Sequence, residues 1–448
     1  MPRLTKVVFP TNQLSGLANE LRESSLESFA MALARPVRVG SGRWRLLVRS
    51  IHLPNDDEYL RRTKIAVEAT PEFRLRVEKL ARMEGLSIIY CHSHPAQAGR
   101  PSFSEVDDRS ERPLAWYTQA RLPGRPHVSL LIGAEGFAAR RLGTKTPVEI
   151  WEVGERVTRW TPPPRGQASP RFDRQVRAFG REGQRAIQSL RIAVVGDGGT
   201  GSIVVQELAH LGVADFLLID PDKLQKANLN RVVGATADDI GKPKVDIGHR
   251  TASAINPKAR IDVVQGNILD REVGDLLRDV DMVFCCTDSH GSRHFLNRLA
   301  YQYFIPVIDM GVVIDAEEGE VRHFGGRVQM LSPGLGCLVC VDGNLDPRWV
   351  NWDLQPIRQK RKDPYFLKAA GIRQPAVISL NGTVASLAVT MFLAVVAGVP
   401  MKARCVRYRG MEGIVKPQFI TPRHQCVDCS PQAYFGAGDA YALPQRSK

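Results

Sequence analysis

At 448 residues, with 43% hydrophobic and 24% charged content, the chain is long enough for two or three buried cores rather than one. Its formal net charge of +14 suits an acidic partner or a triphosphate, but the 61 lysines and arginines are spread out, with no compact basic block interleaved with aromatics, which argues against nucleic acid. No run approaches the roughly 18 apolar residues that span a bilayer, and the start Met1-Pro2-Arg3-Leu4-Thr5-Lys6 has no apolar leader, so a cytoplasmic protein is expected.

In chain order, Val7-Val8-Phe9 opens as a short strand and Gln13–Glu23 carries a helical pattern. Strand-like Trp44–His52, Leu86–Tyr90, His127–Gly133 and Val148–Val153 alternate with helical Pro71–Glu84 and Ser104–Ala120. These make a small α/β domain over residues 1–157. Residues 158–170, with Pro162-Pro163-Pro164, read as a linker, because proline runs fit neither helix nor strand. From residue 171 to 448 strands (191–195, 216–219, 261–264, 282–285, 306–309) alternate with helices (200–211, 244–255, 290–303). Such alternation predicts a Rossmann-like doubly wound parallel sheet with helices on both faces. The densest basic run, Gln359-Lys360-Arg361-Lys362, reads as a solvated loop.

Two patterns carry chemistry. In Cys91-His92-Ser93-His94-Pro95 two imidazoles one residue apart close an apolar strand, and Asp107, just inside the next helix, can join them. Three such ligands leave a fourth position for water, the layout of a catalytic Zn²⁺ rather than a structural one. Asp108 competes by a one-residue slip, though Ser104-x-x-Asp107 favours Asp107. This signature resembles the JAMM (JAB/MPN) metalloproteases. The resemblance implies that His92, His94 and Asp107 bind zinc, that Glu27 is the general base (Glu23 competing), and that Ser104 stabilises the oxyanion during isopeptide cleavage.

The second pattern is Gly196-Asp197-Gly198-Gly199-Thr200-Gly201, between a strand and a helix. Gly196, Gly198 and Gly201 permit a tight turn and close phosphate approach, and Asp220 is placed for a ribose hydroxyl. That much also suits NAD. The later Asn228, Arg231, Lys244 and Asp288 suit adenylyl transfer better, since cations must bear a triphosphate and a carboxylate must hold Mg²⁺. The set resembles the ubiquitin-activating family with its molybdopterin- and thiamine-synthesis adenylyltransferases (ThiF/MoeB-type). The resemblance implies ATP and Mg²⁺ as cofactors, with phosphate contacts from Asn228, Arg231 and Lys244. It implies Mg²⁺ on Asp288, and Arg174 reaching the nucleotide of a second subunit in a homodimer. Cys337-x2-Cys340 and Cys426-x2-Cys429 have metal spacing, and match the structural zinc of that family. Cys91, Cys285, Cys286 and Cys405 read as buried thiols.

No cysteine lies between Val341 and Thr390, where thioester-forming relatives carry one. The chain therefore adenylates only, or passes the acyl group to a hydroxyl (Ser379, Thr383 or Ser386), or has lost the activity. The expected protein adenylates the C-terminal glycine of a ubiquitin-like partner and processes or deconjugates the same partner, alongside a conjugating enzyme. Activation and trimming of a sulfur carrier is the alternative. An NAD-dependent oxidoreductase fused to a metalloprotein is the remote one.

Overall fold

A computed structural model describes residues 4–446 apart from 41, 96, 162–168, 342 and 361–374. The chain forms two units: Met1–Pro162 with Phe435–Tyr441, and Pro163–Tyr434 with Ala442–Lys448. The first is built on β1 (Leu4–Pro10), α1 (Gln13–Arg22), β2 (Phe29–Val39), β3 (Arg43–His52), β4 (Tyr59–Arg62), β5 (Val67–Ala69), α2 (Pro71–Glu84) and β6 (Ser87–Ser93). It continues with α3 (Glu105–Arg121), β7 (Val128–Gly133), β8 (Gly136–Arg141), β9 (Glu149–Val153) and β10 (Val157–Arg159). One mixed sheet runs in the order β10-β9-β1-β3-β2-β6-β7-β8, and β4 and β5 pair separately.

Period-two alternation divides this sheet between two cores. Ala30, Ala32, Ile89 and Cys91 pack with Leu14, Leu17 and Leu21 of α1. Met31, Leu33, Ile88 and Tyr90 face the other way, onto Phe73, Val77 and Ala81 of α2. The α2 helix is delimited by local chemistry: Thr70 accepts from the Phe73 amide (3.3 Å), Pro71 opens the first turn, and Gly85 closes it at φ +70°.

Two expectations about the boundaries are corrected. Thr158 and Arg159, placed in the linker, continue the strand from Val157 and pair antiparallel with β9, while 162–168 lie outside the described residues. The tail Phe435–Tyr441, assigned to the second domain, belongs to the first unit, where Asp439 accepts from the Arg38 amide (3.3 Å).

The second unit begins with α4 (Asp173–Gln188), broken at Phe179–Gly180, where Gly180 has φ +78°. Then follow β11 (Arg191–Val195), α5 (Gly201–Leu211), β12 (Asp215–Ile219), α6 (Lys244–Ile255), β13 (Arg260–Val264) and β14 (Met282–Cys285). Its further strands and longer helices are α7 (His290–Gln302), β15 (Val307–Glu317), β16 (Glu320–Leu331), α8 (Pro347–Leu354), α9 (Ile378–Val396), β17 (Cys405–Arg409) and β18 (Ile414–Pro417). The sheet order is β13-β12-β11-β14-β15-β16-β17-β18. Its first five strands are parallel, as alternation predicts, but β15 through β18 pair antiparallel, so the sheet is mixed. The cause is a two-residue turn, Glu318 (φ +52°) and Gly319 (φ +87°), whose twist returns the chain directly alongside β15.

The expectation of no membrane-length apolar run is also corrected. α9 has 19 residues and a mean hydropathy of 1.8 over an 18-residue window, long and apolar enough to cross a bilayer by that measure alone. Its Val384, Ala385, Ala388 and Phe392 are buried, and it packs against α5, β15 and β16 within the second unit. Lys360, expected in a solvated run, is buried with its ammonium donating to the Asp353 carbonyl (3.0 Å); 361 and 362 lie outside the described residues.

Candidate functional site

The first site grows from the parity of β6. His92 shares a face with Ile88 and Tyr90, and His94 follows two residues later, so both rings emerge beside one another, centroids 5.0 Å apart. Ser93 points to the opposite face, where its hydroxyl accepts from the Ser28 amide (2.9 Å). That bond, with the Glu27 amide donating to the Thr63 carbonyl (2.8 Å), fixes the start of β2 and aims Glu27 at the rings. Asp107 arrives from the first turn of α3, which Ser104 caps by accepting from the Asp107 amide (3.2 Å).

His92 Nε2 lies 3.1 Å from Asp107 Oδ1, and His94 Nε2 lies 3.6 Å from both Asp107 Oδ2 and Glu27 Oε1. The ligand atoms of His92, His94 and Asp107 all fall within 4.8 Å of one another. His92 Nε2 is buried and makes no hydrogen bond of proper geometry despite its closeness to Asp107. An orphaned imidazole nitrogen facing a carboxylate and a second imidazole fits a divalent metal. The titration pattern agrees. Burial, helped by His92, lowers His94 toward the neutral form that ligates. Burial also pushes Asp107 upward, but His92 and the Ser104 amide and hydroxyl outweigh it and hold the carboxyl well below its usual range. Glu27 goes the other way, raised chiefly by burial, with His92 opposing and Asp107 adding to the rise.

The competing residues are resolved by position. Asp108 turns away to Arg140 (2.5 Å) and Lys145 (3.4 Å), and Glu23 is exposed at the end of α1. Ser104 donates its hydroxyl to Asp107 Oδ2 (2.8 Å), so its visible task is to hold that carboxylate. Glu27, His92, His94, Ser104 and Asp107 all line a cleft of about 960 Å³ whose walls include Arg61 and Val67 of the β4–β5 hairpin, Leu75 of α2 and Tyr117 of α3.

The second site sits where the sheet order reverses. β12 lies on one side of β11 and β14 on the other, which opens a crevice beyond the carboxyl ends of β11 and β14. Gly196–Gly201 fills the end of β11. Gly196 has φ +92°, and a Cβ there would lie 2.8 Å from the Cys286 carbonyl oxygen; one at Gly201 would collide with the Gly196 carbonyl. A Cβ at Gly198 would meet nothing, so that face of the loop is open to a ligand. The loop leads into α5, where Thr200 places no side-chain cap on the first turn; the Ser202 amide donates to the Gly198 carbonyl (3.0 Å), and the positive end of the helix faces the loop, where an anion is favoured.

Around the loop the expected cations are present. Arg231 packs its methylenes 3.1 Å from where a Gly199 Cβ would stand, and its guanidinium donates to the Ala227 carbonyl (2.6 Å). Lys244 is held by Asp222 (2.8 Å) with Asp220 at 3.9 Å. Asp220 is 4% exposed and accepts from the amides of Asp197 (2.7 Å) and Asp222 (2.8 Å), while burial raises its carboxyl. Asn228 spends its side-chain oxygen on the Gln225 amide (3.0 Å). Asp288 is exposed just beyond β14, and Arg174 is exposed on the first turn of α4. Reading the sequence missed Asn381, whose amide group adjoins Gly199, and Asp222, the partner of Lys244. Only its place two residues after Asp220 could have signalled Asp222. Of the three candidate acyl-accepting hydroxyls, Ser386 has a carboxylate partner, Glu207 (2.6 Å), and Thr383 donates to the Ser379 carbonyl (3.0 Å).

Cys337, Cys340, Cys426 and Cys429 converge, buried, with Sγ–Sγ separations of 3.7 Å (Cys337–Cys340) and 3.5 Å (Cys337–Cys426 and Cys340–Cys429). A disulfide would need about 2.05 Å. A tetrahedron with Zn–S bonds of about 2.3 Å requires sulfur edges of roughly 3.8 Å, so the donors fit zinc. If zinc sits there, Cys426→Ser is expected to remove one equivalent of it and lower Tm by on the order of 10 °C, because metal binding at such a site would be folding energy. Metal analysis with calorimetry checks it; full zinc content in the variant would refute the assignment.

Residues 172–429 match the family model described as "ThiF family". Curated relatives include the adenylyltransferase and sulfurtransferase uba4 of Emericella nidulans, 31% identical over 213 residues (46% of this chain, 43% of that protein). The SAMP-activating enzyme E1 of Haloferax volcanii is 29% identical over 162 residues (36% and 57%). The molybdopterin-synthase adenylyltransferase of Escherichia coli is 31% identical over 156 residues (34% and 62%). The chain thus spans about half the length of these relatives. The JAMM resemblance lies outside the matched residues. With more than half of its length matched, the chain belongs to the ThiF family.

Proposed function

We propose that the second unit uses ATP to adenylate the C-terminal glycine carboxylate of a small ubiquitin-like carrier protein. The observation that carries this reading is the open, uncapped glycine loop with Arg231 and Lys244 beside it, in a chain of the ThiF family. A carrier carboxylate oxygen attacks the α-phosphorus, the acyl–phosphate bond forms, and pyrophosphate leaves. Charge then grows on phosphate oxygens, and fixed cations offset it without reorganising. Lys244 can leave Asp222 for the phosphates at the N-terminus of α5, and Asp220, whose two oxygens already accept from the Asp197 and Asp222 amides, has only its remaining lone pairs to offer a ribose hydroxyl. Mg²⁺ at Asp288 would add further charge neutralisation. A homodimer with Arg174 reaching across belongs to the same proposal.

The names of the relatives favour sulfur-carrier activation over ubiquitin-like conjugation, since sulfurtransferase and molybdopterin-synthase chemistry recur among them. The reading that the sequence put second therefore leads. The adenylated carboxyl then passes to a sulfur donor outside this chain, consistent with the missing cysteine between Val341 and Thr390. ATP–pyrophosphate exchange that requires a glycine-ended carrier, followed by mass detection of a carrier thiocarboxylate, tests this. Protein adducts of the carrier without any thiocarboxylate would return conjugation, with its conjugating-enzyme partner, to first place.

The first unit has its own supporting observation: the convergence of His92, His94, Asp107 and Glu27 in one cleft. We propose zinc-dependent hydrolysis of a peptide or isopeptide bond at the tail of the same carrier. Zinc held there would supply a water with a pKa near 7. Glu27, buried and raised, takes the proton of the attacking water and returns it to the leaving nitrogen. Ser104 keeps Asp107 in place. Trimming a carrier before adenylating it gives one polypeptide two consecutive tasks.

A further inference from the structure

Asp197 lies inside the nucleotide loop, yet the steps above give it no work. It is 1% exposed, and neither carboxyl oxygen makes a hydrogen bond of full geometry, the Gly248 backbone only approaching it. The side chain occupies the space that a Cβ on Gly248 of α6 would need, so a small residue there makes room for it. The backbone around it is firmly set, its own amide donating to Asp220 Oδ2 (2.7 Å).

The titratable groups that face it are Asp220 after β12, Lys244 on α6 and Cys286 after β14. Lys244 is already committed to Asp222 at 2.8 Å, and burial keeps the Cys286 thiol neutral. Burial, with Asp220 adding, pushes Asp197 up to about 8, against Lys244 and the Gly248 backbone. Among the described residues it joins neither cluster able to hold a metal.

We propose that Asp197 is a positioning residue that works as a carboxylic acid beneath the loop, and that a triphosphate binds only when this acid is neutral. The proposal rests on the reading that the loop binds ATP. Three carboxyls (Asp197, Asp220, Asp222) share one lysine, and that lysine turns toward the phosphates when ATP arrives. A buried carboxylate left without a partner near a polyanion is strongly disfavoured, so it takes up a proton instead. The neutral acid removes a buried negative charge from beneath the loop that the polyanion would otherwise face.

Isothermal titration of the full chain with Mg²⁺ and a non-hydrolysable ATP analogue provides the test. Between about pH 8 and pH 9.5 the wild-type Kd is expected to weaken by roughly tenfold per pH unit. Paired buffers of different ionisation heat should report uptake of up to about one proton per nucleotide. Asp197→Asn, a neutral isostere, should lose both the slope and the buffer dependence. A wild-type Kd that stays constant across this range overturns the inference, as does an undiminished slope in Asp197→Asn. The wild-type proton count stands even if the variant fails to fold. Failure to bind nucleotide at any pH would overturn the ATP reading itself, whereas binding without proton uptake overturns only the role of Asp197.

Discussion

His92→Ala or His94→Ala is expected to reduce cleavage of a carrier-tail substrate by about four orders of magnitude, with zinc lost from the first unit. Two ligands cannot hold a catalytic zinc against solvent, and without it water near pH 7 is a poor nucleophile. ATP–pyrophosphate exchange should survive, since both imidazoles lie in a unit with its own sheet and cores. Glu27→Gln separates the roles: zinc stays, and cleavage falls by about two to four orders because only the proton acceptor is gone. Asp108→Ala serves as the internal comparison, since its carboxylate pairs with Arg140 and Lys145 rather than with the rings. Zinc content measured beside peptidase rates decides the matter. Undiminished cleavage in His92→Ala would end the hydrolase reading, whatever the fate of the nucleotide site.

The parity of His-x-His was legible in the sequence because a strand repeats every two residues, and His92 and His94 must share a face. Ser104-x-x-Asp107 was legible for a similarly local reason, a capping box that fixes the first turn of a helix. The βαβ rhythm from Arg191 to Asp309 and the glycine loop follow from periodicity and turn chemistry, and the loop lies at the carboxyl end of β11, where the strand order reverses. What escaped depends on contacts between residues far apart in sequence. The turn at Glu318-Gly319 hides within an acidic run, so the antiparallel half of the second sheet left little trace. The return of Phe435–Tyr441 to β2 rests on pairings such as Arg38 with Asp439, which no local pattern announces. Asp197 was visible as a letter within the loop, but only its burial and the lack of a full hydrogen bond at its oxygens give it meaning.

Lys244→Ala should lower ATP–pyrophosphate exchange by about 10²–10³, the range for removing one fixed donor or cation from developing charge. The geometry makes this loss larger than that of Asp288→Ala. Lys244 is 12% exposed and stands between Asp222 and the buried Asp220, so deleting it removes a phosphate contact and also leaves two carboxylates facing the triphosphate. Asp288 is exposed, and hydrated Mg²⁺ arriving with ATP replaces part of what it supplies. Lys244→Ala combined with Asp222→Asn should therefore recover part of the loss, since one of the two repelling charges is gone. Exchange rates at saturating carrier, with thermal melts to show that each variant folds, check the order. An exchange rate within threefold of wild type for folded Lys244→Ala would mean that the triphosphate does not lie over this loop.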